Sequence, residues 1–229
     1  MTDWVTLSSL ATAGGTLVLA VATYQSVRSA NRSARVAERS LLEGVRPVLI
    51  PSGEQDPAER VRFGDDVILV VPGHGASATL TRDTIYLAVA LRNAGSGLAV
   101  LHGWRVRAQP PRVPGAGPTL LLGDAPGPDS RINREPDLAE FRRQQLDLYI
   151  PAGGNGFWQG AMRDPSEPGY AEVRDAVEGD HGLWIDLLYG DYEGGQRAIV
   201  RIGATEWPEV EGRRTTVMRY WNLDREDPR

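Results

Sequence analysis

The sequence predicts a mainly β fold, an antiparallel β-sandwich of immunoglobulin-like general plan, preceded by a long N-terminal transmembrane and stalk helix. Three observations predict it. Residues 4–24 form a run without a charged side chain. Arg28, Arg32, Arg35 and Arg39 follow it at steps of four, three and four. From Pro47 onward, short β-rich runs alternate with turn signals built on Gly, Asn, Asp and Pro.

A helix over 4–24 rises about 30 Å, the thickness of a bilayer core. Trp4 and Tyr24 stand at its ends, where aromatic side chains favour the membrane interface. Residues 1–3 carry no basic side chain, whereas the basic flank follows the run, so the following chain is held on the cytoplasmic side. The expected location is the cell membrane, as a single-pass signal-anchor with the N-terminus outside and the C-terminal domain cytoplasmic. Ala20, Val21 and Ala22 resemble a signal-peptidase site. With the topology reversed, the protein becomes an exported surface-binding module.

Residues 25–45 continue the helix as an arginine- and alanine-rich stalk and stop at Gly44, before Arg46 and Pro47. The four arginines share one face, which meets anionic inner-leaflet lipid or is simply solvated. Small residues also recur at heptad spacing. Ser9, Ala13, Thr16, Ala20, Thr23, Val27, Ala30, Ala34, Ala37 and Leu41 form a seam along which two copies of the helix fit as a parallel homodimer.

Residues 46–223 form the β domain. Arg46-Pro-Val-Leu-Ile-Pro51 opens it in extended form. Residues 61–72 are β-rich around a Gly-Asp-Asp turn. Residues 84–95 alternate, with Ile85, Leu87, Val89 and Leu91 on one face. The turn at 93–97 leads into a strand over 98–108. Residues 146–162 read as a hairpin around 153–156, and 183–204 as a hairpin around 190–195. Residues 213–223 end the sheet. Only 170–179 reads as helix. The Pro- and Gly-rich stretch 110–136 is a long loop, with 119–122 as a brief edge strand, and 224–229 is a charged tail.

Composition narrows the function. The chain has 229 residues, no cysteine and no lysine; all 25 basic residues are arginine. That excludes Walker-A, Schiff-base, thiol and thiolate–zinc chemistry. His74, His102 and His181 form no metal-binding spacing. The sequence at 180–191 places Asp180, His181, Asp186 and Asp191 near one another, but without a serine elbow or a metal-ligand pattern. No catalytic, cofactor or metal residue is assigned, and the chain is read as not an enzyme. Of 30 acids and 25 arginines, the segment to Arg46 takes three and five. The remainder keeps 27 and 20, a net charge of −7, which disfavours nucleic acid as a partner.

The order of motifs resembles a group of uncharacterised single-pass membrane proteins of GC-rich bacteria. The resemblance rests on an R-P-V opening (Arg46, Pro47, Val48), L-R-N-x-G-x-G at 91–97, Y-x-D-x-x-G-x-x-R at 189–197, and the closing Arg219, Tyr220, Trp221, Asn222, Leu223, Asp224. It implies the anchor, stalk and β-domain order and carries no assigned activity. The expected function is therefore a protein-binding scaffold or accessory module, docking an unknown protein partner on an exposed sheet edge or on the 110–136 loop. The alternative is a ligand-responsive sensor that signals through stalk-helix dimerisation.

Overall fold

The computed structural model describes residues 4–110, 132–206 and 212–224. It divides into two units, Met1–Gly44 and Val45–Arg229. The tails 1–3 and 225–229 and most of the loop expected over 110–136, including its brief edge strand, lie outside the described residues.

The first unit is one helix, α1 (Trp4–Gly44), which runs without a break through both expected segments. Its side chains are described from Ala13 on, apart from Arg39, Leu42 and Glu43, and every one of them is exposed. Among the described residues no helix is long and apolar enough to cross a membrane. The side chains of 4–12, the first part of the expected span, lie outside that description.

The second unit is built on β strands. In chain order these are β1 (Leu49–Pro51), β2 (Glu59–Arg62), β3 (Ile68–Val71), β4 (Gly75–Thr81), β5 (Thr84–Asn93), β6 (Ala99–Ala108), β7 (Arg142–Ile150), β8 (Asn155–Met162), β9 (Leu183–Gly190), β10 (Ala198–Glu206) and β11 (Arg213–Asn222). A helix, α2 (Tyr170–Glu178), precedes β9. Nine strands join in one antiparallel sheet in the order β1-β5-β4-β11-β10-β9-β6-β7. β8 takes the other edge of β5, opposite both β4 and β1. The sheet curls until β7 and β8, at its two ends, come into contact.

Alternation explains β5. Ile85, Leu87, Val89 and Leu91 point into the main core, as expected. Tyr86, Ala88 and Ala90 point the other way but are also buried, beneath the β2–β3 hairpin and its Val61, Phe63, Leu69 and Val71. That hairpin is a separate two-stranded sheet, turned through Asp66 at φ 66°. Inside the curl, Trp104 of β6 meets Trp158 of β8 edge-on at 5.3 Å. Such a pair adds about 0.5–1.5 kcal/mol beyond the area it buries. α2 closes part of the core. Its Tyr170, Val173, Ala176 and Val177 recur at helical spacing and are buried, and Tyr170 donates to the Asp83 carbonyl at 2.7 Å.

Candidate binding cleft between β7 and β8

The stretch 146–162 does form two strands around a glycine turn, but they are not a hairpin. β7 pairs with β6 and β8 pairs with β5. The two legs leave a common corner at 151–154 and part. Backbone geometry makes the corner: Gly153 adopts φ 67°, and Gly154 N–H donates to the Pro151 carbonyl at 3.0 Å.

Asn93, at the end of β5, locks that corner. It is fully buried. Its backbone N–H donates to Gly154 O at 3.0 Å and its carbonyl accepts from Gly153 N–H at 2.9 Å. Its side-chain amide donates to Gly97 O at 2.6 Å and Ile150 O at 3.0 Å, while Oδ1 accepts from Val48 N–H at 3.1 Å. A buried amide with all these partners fixes the direction in which each leg leaves the corner.

Beyond the corner lies an open cleft of about 1210 Å³. Residues 141–146 form one wall and 159–163 the other. One long side-chain bond spans it, from Gln144 Nε2 to Gln159 O at 3.4 Å. Among the described residues, neither facing edge has a second strand ladder. Gln144 Oε1 and Gln159 Oε1 are buried acceptors without a donor. Small residues keep the cleft floor thin. A Cβ at Gly160 would lie 2.6 Å from the Trp158 ring, and one at Gly103, beside the bulge in β6, 2.9 Å from Arg142 O.

Charge is concentrated at the rim. Arg142 lies 5.0 Å over the Trp104 ring and pairs with Glu167. Arg163 lies over Tyr86 and pairs with Asp65 at 3.1 Å. The Tyr86 hydroxyl, and after it Arg163, hold the Asp65 carboxyl below its usual range. Arg107 and Arg105 do the same for Glu140. Arg143 is exposed and has no ion-pair partner among the described residues.

The outer face of the sheet carries a second polar cluster. Arg201 and Asp186, each 2 % exposed, are joined by two contacts, and Arg105 donates to Asp186 at 2.6 and 3.0 Å. The Arg201 guanidinium sits between Trp184 at 5.1 Å and Trp221 at 4.8 Å and donates to Ile132 O at 3.0 Å. This cluster pins the segment 132–140 to the sheet. It takes Asp186 away from His181, which is exposed. Asp191 instead caps its own loop through the N–H groups of Glu193 and Gly195. Among the described residues no three His, Asp or Glu side chains converge to hold a metal.

The motifs behind the sequence resemblance gather where the chain enters the β unit. Arg46 donates to Asn222 and Tyr220 to Leu49 O, and Arg197 holds Asp224 at 2.7 Å. Burial pushes the Tyr189 hydroxyl, which lies beside Leu49, up to about 12. These contacts fasten the entry strand.

On α1, Arg28, Arg32 and Arg35 are exposed, as are Tyr24 and the seam residues Ala13, Thr16, Ala20, Val27, Ala30, Ala34, Ala37 and Leu41. The Trp4 and Arg39 side chains lie outside the described residues. The cleft residues Arg142, Arg143, Gln144 and Gln159 were not singled out by the sequence. Each strand's alternation could be read there, but not which neighbour it would choose.

Comparison with protein-family models, with curated proteins and with solved structures finds no match for this chain.

Proposed function

We propose that the protein is a membrane-anchored module that binds a segment of a protein partner in the cleft between β7 and β8. The observation that carries this reading is the parted pair of strands. Two consecutive strands share a four-residue corner, yet each pairs elsewhere and leaves an edge facing the other. Strand edges present unpaired N–H and C=O groups that a further strand satisfies. Within the same reading the curled sheet works as a sandwich, its β5/β8 side packed on its β6/β9 side through Trp158 and Trp104.

Anchoring is supported by α1. Leu17, Val18, Leu19 and Val21 are each more than half exposed, and at 100° per residue they spread over about 200° of the helix surface. An exposed apolar surface of that width is stabilised in an apolar surrounding, and lipid supplies one. In this reading Arg28, Arg32, Arg35 and Arg39 hold the β unit on the cytoplasmic side, with the bilayer taken up by 4–24.

The test is photo-crosslinking in cells, with a benzophenone side chain placed at Leu146, which is exposed on β7, and at Glu193 as a control on another loop. The reading expects a discrete protein adduct from position 146 and none from 193. Adducts of equal yield from both sites, or none at 146, contradict it.

A further inference from the structure

We infer that the occupant of the β7/β8 cleft is an extended, acidic peptide segment, inserted as a strand between the parted legs. This rests on the cleft reading above. Three observations point to it.

The first is shape and polarity of the walls. Both are built mainly of strand edges, 142–146 of β7 and 159–162 of β8. An extended chain matches such edges residue for residue, whereas a helix cannot satisfy edge N–H and C=O groups. β7 and β8 run antiparallel, since each is antiparallel to its partner in a wholly antiparallel sheet. An inserted strand is therefore antiparallel to one leg and parallel to the other.

The second is the pair of unmatched acceptors. Gln144 Oε1 and Gln159 Oε1 are buried at the cleft without a donor. Main-chain N–H groups of an inserted strand supply donors to buried acceptors of this kind, whose unpaired state is otherwise costly.

The third is charge. The domain from residue 47 on carries a net −7, yet of the arginines that line the cleft, Arg105, Arg107, Arg142 and Arg163 are each paired with a carboxylate, and Arg143 is exposed with no ion-pair partner among the described residues. An exposed cation without a counterion in the wall of the cleft selects an acidic partner by attraction there and repels basic ones. It also argues against a second copy of this chain, which would set Arg142 and Arg143 against themselves. Nucleic acid is disfavoured by the charge of the domain as a whole.

The test uses the full chain in detergent micelles and two fluorescent probe peptides of about ten residues, long enough to span the walls. One alternates glutamate with valine, the other lysine with valine. Binding is read by anisotropy for three proteins: the native chain, Arg143→Glu, and Gln145→Cys with Ala161→Cys, one on each wall of the cleft. Because the chain has no cysteine of its own, a short bismaleimide joins that pair across the cleft and nothing else. The expected result is binding of the glutamate peptide at least about tenfold tighter than the lysine peptide. Arg143→Glu should weaken it about tenfold. Cross-linking the cysteine pair should abolish it, while the same variant before cross-linking binds. If both peptides bind equally and cross-linking still abolishes binding, acidic selectivity is overturned while the cleft reading stands. Should neither peptide bind, or binding survive the cross-link, the inserted-strand proposal fails. The cellular adduct at position 146 then decides the cleft reading separately.

Discussion

Asp186 and Arg201 face each other in register across β9 and β10, both almost fully buried, with Arg201 Nε 2.7 Å from Asp186 Oδ1 and Nη2 3.0 Å from Oδ2. Breaking a buried ion pair from one side leaves a charge without its counterpart and costs about 3–5 kcal/mol. The two sides are not equivalent here. Without Arg201, Asp186 keeps the cationic Arg105; without Asp186, Arg201 loses its buried carboxylate, and the Ile132 carbonyl and its two tryptophans beside it carry no countercharge. Asp186→Ala is therefore expected at the upper end of that range and Arg201→Ala at the lower, measured as urea unfolding midpoints. Equal losses, or a smaller loss for Asp186→Ala, would contradict the assignment.

The entry strand depends on two glycines. A Cβ at Gly97 would lie 1.7 Å from the Val45 carbonyl oxygen, and one at Gly95 2.2 Å from that of Arg46. Backbone atoms cannot rotate out of the way, so Gly97→Ala should destabilise by about 3 kcal/mol or more and expose residues 45–48 to protease. Gly64→Ala, with open space around it, should shift stability by no more than about 0.5 kcal/mol. Similar protease resistance in the two variants would refute the close approach.

His102 gives the fold an acid dependence in a defined window. Burial, and after it the nearby Arg197, pushes its pKa below the usual value, against the opposing pull of Asp191 and Asp147. The folded state therefore favours the neutral ring. Its contribution is complete above the unfolded pKa of about 6.5 and is lost as pH falls from there through the depressed folded value. The native chain should lose stability as pH falls below about 6.5, and His102→Gln should lose less. The depressed carboxylates, Asp65 and Glu140 among them, lose their contribution from their unfolded values of about 4 to 4.5 downward, below the point where the His102 effect begins.

Orientation is open to a direct label. Glu193 is exposed, and the chain has no cysteine, so Glu193→Cys is a lone reporter. A membrane-impermeant maleimide should label it only after lysis. Labelling in intact cells would place the β unit outside and favour the exported binding module.

Much of this fold can be read from the residues. The long helix, the alternation of 84–93, the 183–206 hairpin pair and α2 follow from periodicity and turn chemistry. β4 escaped because Gly75-Ala-Ser-Ala-Thr-Leu-Thr81 has no apolar alternation. Its turn into β5 also hid, because Arg82 holds the left-handed conformation, φ 57°, where glycine or asparagine is the usual signal. The cleft was hidden for a different reason. The glycine turn at 151–154 announces two strands, but whether they pair is decided by Asn93, far off in sequence, through its bonds to the corner. Polar residues such as Gln144 and Gln159 give no signal until that corner brings them together.

Residue-resolved amide hydrogen exchange on the full chain reports whether β7 and β8 leave their facing edges unpaired. In a paired strand, amides point alternately to its two neighbours. Along 155–162, amides directed at β5 should therefore be protected, and those directed at the cleft should exchange orders of magnitude faster. The same alternation should hold at 142–143 of β7, where β6 is the partner. Alternating protection is the predicted result. Uniform slow exchange along both strands would mean that the two legs are zipped together, and the cleft would have no edge to offer.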